Sequence, residues 1–355
     1  MGVYVNKTLI KSLSDLVTPT NLRDANKCQK QALLYAGDSN DRYAPEHAKF
    51  GHAFGKAAAI IVEYADEVTA VRLGKAFTSV FEYVAYNTSV SYKNIGTLYN
   101  ALTQLDRLWQ NEYKKFYEYV STEQRMEVTV IKDGKVYMRI GGAYDLLVQD
   151  RSDGSYVVFD FKAVSSEFMY NWASEPQILH YSLLLKLLYP DTPIYKLGSY
   201  LVAVFLQQGT FLERRRNVTG FANSIWNHVS NCKQLYDSIL GFKAAATVDV
   251  LNVNPRECFK KSPCTYAGVC YSDSNMMYAP RKDDRVFTDH NHIEIDYDDF
   301  VKLVDELKND MLKHDSFEKA INVSPEVSTL MSAADVLNMF TVESDNSVSN
   351  LLRGT

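Results

Sequence analysis

Two short acidic segments carry residue types suited to phosphate chemistry. The first is Gly142-Ala143-Tyr144-Asp145 and the second is Asp160-Phe161-Lys162. Each closes an apolar, β-like run, and Ser152-Asp153-Gly154-Ser155 between them reads as a tight turn. Folded as a hairpin, the two runs bring both aspartates to one edge of a sheet. Side chains repeat every two residues along a strand, so Asp160 and Lys162 share a face. Asp145, Asp160 and the backbone carbonyl of Phe161 are then hard oxygen ligands suited to Mg²⁺ or Mn²⁺. A cation held there would orient and acidify a water and offset charge building on a phosphate. Lys162 is left to position the water or stabilise the developing anion. A solvated surface hairpin would carry the same D-x-K tripeptide, which is common on its own.

A second constellation is built of thiols. Cys258, Cys264 and Cys270 lie in an aperiodic stretch with Pro255 and Pro263. Three thiolates need a fourth ligand to complete a tetrahedral zinc site or an iron–sulfur cluster. Cys28, on an N-terminal helical segment, is the best candidate, and the pairing requires a fold that joins the two ends of the chain. Cys232 falls mid-helix and reads as a bystander. Five cysteines, an odd number in 355 residues, do not make a disulfide framework.

The elements that must position these residues can be read from periodicity. Helices are expected over residues 20–35 and 46–65, with more helical pattern to about residue 120 and breaks at Gly74 and Gly96. Strands are expected over 126–131, 135–140 and 143–149, with a turn at Asp133-Gly134. The run over 156–162 is nearly continuously apolar, which suits a central strand buried on both faces. A helix over 174–189, a strand over 195–207 and helices over 219–240 and 297–314 follow. The fold class is α/β behind a helical N-terminal half. Residues 1–280 are expected to form the main domain, with its core at 120–245, and 281–355 a helical extension and tail.

A net charge of −5, 46% hydrophobic and 23% charged residues exclude general disorder and collagen-like repetition. Mild acidity argues against a purely electrostatic nucleic-acid binder and says nothing of a local basic groove. Arg214-Arg215-Arg216 would suit phosphate contacts, although such a cluster is commonly just solvated. No secretory h-region and no apolar run of membrane-spanning length are present, so a cytoplasmic, reducing setting without membrane partners is expected. No phosphate-binding GxxxxGK[ST] loop marks an ATPase motor.

The order GxxD, turn, strand ending in D-x-K, then a helix carrying Gln177 and Tyr181 resembles the PD-(D/E)XK nuclease superfamily, more narrowly its RecB-like branch. The resemblance spans about residues 18–272 and implies a restriction-endonuclease-like core, a mixed central sheet flanked by helices. It implies that Gln177 and Tyr181, four apart on one helix face, line the active site and hold the lysine, the phosphate or the water. A capping box at Ser174-Glu175-Pro176-Gln177 and a plain core aromatic are the bland alternatives. It also implies a supporting carboxylate on the strand before GxxD, where Glu127 stands, and a metal-binding histidine in a G-x-x-x-H helix. That place holds Gly55, and His52, about one turn earlier, is the candidate substitute. Cys28 with Cys258, Cys264 and Cys270 resembles the iron–sulfur staple of AddB-like and CRISPR-associated adaptation nucleases. This implies a 4Fe–4S cluster; the first late gap is longer than the usual C-x2-C-x5-C, and Zn²⁺ is the alternative. The activity implied is a metal-dependent exonuclease acting on single-stranded DNA or duplex ends. A helicase or recombination protein as partner and a role in bacterial or phage DNA recombination or repair go with it. Two other readings stay open: a catalytically inactive DNA-binding or scaffold protein of the same fold, and a zinc-stabilised RNA-processing nuclease.

Overall fold

Local turn chemistry builds the centre of the molecule. Asp133 and Gly134 both take positive φ, 52° and 69°, the pair that a tight right-twisted hairpin demands. Strand β2 (Arg125–Lys132) therefore folds directly onto β3 (Lys135–Ala143). A second turn, with Gly154 at φ 74°, joins β4 (Leu146–Asp150) to β5 (Tyr156–Ser165). A computed structural model describes residues 14–27, 46–87, 94–165, 177–192, 199–206, 209–216, 221–245 and 290–321. The cysteines Cys28, Cys258, Cys264 and Cys270, the segment Ser174–Pro176 and the tail from 322 lie outside these residues.

The architecture is mixed α/β with two sheets. One has the order β1-β4-β5-β6-β7, where β1 is Tyr117–Thr122, β6 is Ser199–Leu206 and β7 is Gly209–Arg216. Strand β5 lies at its centre, antiparallel to β4 and parallel to β6. The other sheet has the order β3-β2-β8, and β8 (His290–Asp296) pairs in parallel with β2.

Alternation along β4 and β5 divides two cores. Leu146, Val148, Val157, Phe159 and Phe161 face the first. It is filled by helices α2 (Glu46–Glu63), α3 (Thr69–Asn87) and α4 (Ile95–Leu108), the last continuing through a π-turn at Trp109–Tyr113. Ala53, Ala57 and Ala58 are buried, and these small side chains let α2 approach β5, where Phe54 meets Phe161 edge-on at 6.2 Å. Leu147 and Val158 face the second core. There α5 (Gln177–Leu188) and α6 (Phe221–Ala245) pack with β2 and β3.

Phe300, Val304, Leu307 and Met311 of α7 (Tyr297–Ile321) close this core. The chain clusters into two units, Met1–Leu312 and Lys313–Thr355. Strand β8 and the first turns of α7 belong with the first unit. Of the second unit, only helical backbone to Ile321 is described.

Several elements differ from the sequence expectation. Helix α3 runs through Gly74, where a Cβ would meet nothing within 4 Å, so glycine there costs propensity without forcing a break. The break falls instead over residues 64–68. The helical pattern ends at Phe116, and Tyr117 opens β1. Arg214, Arg215 and Arg216 lie within β7, paired with Leu201, Tyr200 and Ser199. Among the described residues, no helix is long and apolar enough to cross a membrane.

Candidate active site

Asp160 is the fifth residue of the central strand, fully buried, on the face away from the Phe161 core. Lys162 shares that face. Its Nζ stands 2.5 Å from Asp160 Oδ2 and donates to Gln177 Oε1 at 2.9 Å. Gln177 Nε2 in turn donates to the Tyr181 hydroxyl at 2.9 Å, and that hydroxyl donates to the Ala143 carbonyl at 2.6 Å. The chain Lys162–Gln177–Tyr181–Ala143 ties β5 to α5 and α5 to the end of β3. Gln177 opens α5, so its side chain faces the lysine across the second core's rim.

Asp145 sits where the chain leaves β3 for β4, one residue before the Leu146–Phe159 pair of the register. That places it opposite Asp160, as the hairpin requires. Its Oδ2 accepts the Phe161 backbone N–H at 2.6 Å. The strand closes on this point because Gly141 and Gly142 have no side chains. A Cβ on Gly141 would lie 2.6 Å from the Met126 carbonyl oxygen, and one on Gly142 would lie 3.1 Å from the Tyr181 ring. Asp145 lies between strands rather than at a strand's end.

The two carboxyl groups disturb one another. Burial, then the adjacent Asp160, pushes the Asp145 carboxyl up to about 8. Burial also raises Asp160, against the pull of Lys162. Lys162 is in ion-pair contact with Oδ2 of Asp160, and its buried Oδ1 has no hydrogen-bond donor. Two neighbouring carboxyl groups, one fully buried and with an oxygen that no donor reaches, are a poor arrangement for a resting core. They are a good one for a divalent cation, whose charge would relieve both the repulsion and the desolvation. The two carboxyl groups suit a hard cation such as Mg²⁺ or Mn²⁺, with Asp145 and Asp160 as the residues that would hold it.

The remaining expected residues are placed as follows. Glu127 is buried on β2 and ion-paired with Arg139, which also pairs with Asp15. His52 falls on α2, the helix packed against β5, and the placement of its ring is outside the described structure. A Cβ on Gly55 would meet open space. The thiol constellation of Cys28, Cys258, Cys264 and Cys270 lies outside the described residues.

Two charges near the aspartates escaped the sequence reading. Arg23, on α1 (Pro19–Lys27), lowers the Asp160 carboxyl. Residues 14–18 place it: Val17 bridges to Ile140 alongside β3, and Thr18 caps α1, its N–H bonded to Asn21 Oδ1 at 2.7 Å. Glu123, in the exposed β1–β2 turn at φ 48°, raises Asp145. Neither has a motif that announces it, because each reaches the site through chain distant in sequence.

No family model matches the chain, and no curated protein sequence matches it. Among solved structures, a candidate exonuclease from Eubacterium rectale is 12% identical, with a TM-score of 0.39, over 68% of this chain and 85% of that one. A protein named SSO0001 is 11% identical, with a TM-score of 0.24, over 73% of this chain and 96% of that one.

Proposed function

We propose that this protein is a divalent-metal-dependent nuclease of the PD-(D/E)XK type that hydrolyses phosphodiester bonds in DNA, acting as an exonuclease. The observation that carries the reading is the meeting of buried Asp160, Asp145 and Lys162 on one side of a central strand, with one Asp160 oxygen lacking a donor. A bound Mg²⁺ or Mn²⁺ would supply Lewis acidity toward the scissile phosphate and its attacking water.

The chain's own residues supply the rest. Asp145 and Asp160 provide the anionic cradle. Lys162, held in place by Gln177, points an ammonium at the space beside Asp160, where it holds the attacking water or offsets charge on a non-bridging oxygen. Tyr181, anchored on the Ala143 carbonyl, keeps Gln177 from turning away. Water oxygen bonds to phosphorus and gives up a proton to solvent, the P–O bond to one sugar breaks, and the departing sugar oxygen takes up a proton from solvent. Arg23 adds positive charge near Asp160, which would favour a phosphate backbone there.

The test is digestion of end-labelled single-stranded DNA, duplex DNA and RNA by the full chain with Mg²⁺, with Mn²⁺ and with EDTA. The expected result is stepwise loss of nucleotides from DNA with metal and none in EDTA. Metal-independent cleavage, or a chain inert toward all three nucleic acids with either ion, would contradict the assignment.

A further inference from the structure

Cys232, which reads in sequence as a lone mid-helix thiol, has company. His228 stands one helical turn before it on α6, so both point the same way. His180 comes from the facing helix α5. The three are among the least exposed side chains in the molecule, at 0% for His180 and Cys232 and 5% for His228. His180 Nδ1 lies 3.0 Å from His228 Nε2, and the Cys232 sulfur lies 3.9 Å from the first nitrogen and 3.7 Å from the second. Three soft or borderline donor atoms thus form a small triangle inside an otherwise apolar core.

We propose that His180, His228 and Cys232 bind a zinc ion that locks α5 to α6. A tetrahedral Zn²⁺ with Zn–N of about 2.0 Å and Zn–S of about 2.3 Å spaces two nitrogens by about 3.3 Å and nitrogen from sulfur by about 3.6 Å. The triangle matches those edges to within a few tenths of an ångström. A hydrogen bond between the rings accounts for one edge. It does not account for a sulfur facing both ring nitrogens.

The outer contact also suits a metal ligand. A carbonyl oxygen only accepts, so His180 Nε2, 3.1 Å from the Gly141 oxygen, carries that ring's proton. Its Nδ1 is then a lone pair directed at the triangle. Fixing a ligating histidine through its other nitrogen is the usual way a protein sets the tautomer at a metal. Burial keeps both imidazoles neutral, His180 being pushed down to about 4, which is the ligating form. Burial raises the thiol, so its proton must be displaced by the ion.

The balance is simple. On binding, Cys232 gives up one proton to solvent, the His228 proton resides on Nδ1, His180 keeps its Nε2 proton, and nothing is oxidised or reduced. Among the described residues no fourth His, Cys, Asp or Glu joins the group, and a neutral water as fourth ligand leaves this balance unchanged. The consequence is mechanical. Helix α5 carries Gln177 and Tyr181, and His180 bonds the Gly141 carbonyl two residues before the Ala143 carbonyl that Tyr181 takes. A metal at its root would hold that helix at a fixed height over the aspartates.

The readout is metal content and spectra, independent of any DNA cleavage. Full-length protein and its Cys232→Ala variant are stripped with EDTA, then titrated with Zn²⁺ and, separately, Co²⁺. The expected result is that the variant takes up one equivalent of Zn²⁺ less than the wild type. It should also lose a thiolate-to-Co²⁺ charge-transfer band and no longer gain thermal stability on adding Zn²⁺. Equal metal uptake and superimposable Co²⁺ spectra would overturn the proposal. Should the variant fail to fold, zinc-edge X-ray absorption on the wild type decides. Imidazole scattering together with sulfur supports the site, and a shell of sulfur alone or oxygen alone overturns it.

Discussion

Asp145 and Asp160 oppose their own fold. With Asp145 raised to about 8 by burial and by Asp160, the metal-free folded chain keeps a proton that the unfolded chain has lost at any pH between about 4 and 8. Stability should therefore fall as pH rises through that window, because the unfolded state releases protons that the folded state retains. Asparagine in place of Asp145 can still accept the Phe161 N–H and cannot ionise. In EDTA, Asp145→Asn should exceed the wild type in melting temperature by a margin that widens from pH 5 to pH 8, and with Mg²⁺ it should lose cleavage. Melting curves that run parallel across pH 5–8 would mean that the pair carries no such tension.

At this same scale, much of the site was legible. Asp145, Asp160 and Lys162 do come together, because a turn and a two-residue period are local facts. Gln177 uses its side chain on Lys162 and Tyr181. The role of Arg23 was not legible, since nothing near it in sequence says that it lies beside a strand more than a hundred residues later. His228 and Cys232 did carry a signal, the i, i+4 spacing of two ligand types on a helix. It went unread because the third partner lies on another helix.

Elements set how tightly these residues are held. The β3 end approaches both Met126 and the segment at Leu16 so closely that a methyl group on Gly141 has no room. Gly141→Ala should cost roughly 1–3 kcal/mol, as overpacking does, whereas Gly55→Ala, in open space within α2, should stabilise by about 0.5–1 kcal/mol. Urea denaturation distinguishes the two signs. On the other face, Arg72 of α3 grips Asp106 of α4 through two nitrogens at 2.6 and 3.0 Å, both residues buried. Removing one partner strands the other charge, so Asp106→Ala should cost about 3–5 kcal/mol, read from the same denaturation curves.

The strands around Asp133-Gly134 and residues 152–155 were legible because their turn residues admit few conformations. Strand β8 was not. Its His-Asn-His-Ile-Glu-Ile-Asp sequence mixes exposed polar side chains with two isoleucines, and its partner β2 lies some 160 residues earlier. Nor did composition reveal that Tyr144-Asp145 interrupts the apolar run and passes the chain from one sheet to the other. That interruption is what frees Asp145 to face Asp160.

At the scale of the whole molecule, one central strand separates two functions. Its Phe159 and Phe161 face is covered by three helices. Its Asp160 and Lys162 face meets the helix pair on which the reaction would depend. Chain beyond residue 280 returns to this second half: Trp226 Nε1 donates to Asp305 Oδ1 at 2.9 Å, and Lys186 pairs with Glu306 at 3.3 Å. The account stands on the claim that this face hydrolyses DNA with a divalent ion. Its most direct test is single-turnover cleavage of labelled DNA in Mg²⁺ or Mn²⁺ by the wild type, Asp160→Asn and Lys162→Ala, each checked for native circular dichroism. A fall of about a hundredfold to a thousandfold is expected in both folded variants, the scale at which removal of one preorganised electrostatic group acts. Wild-type rates in both variants would contradict it.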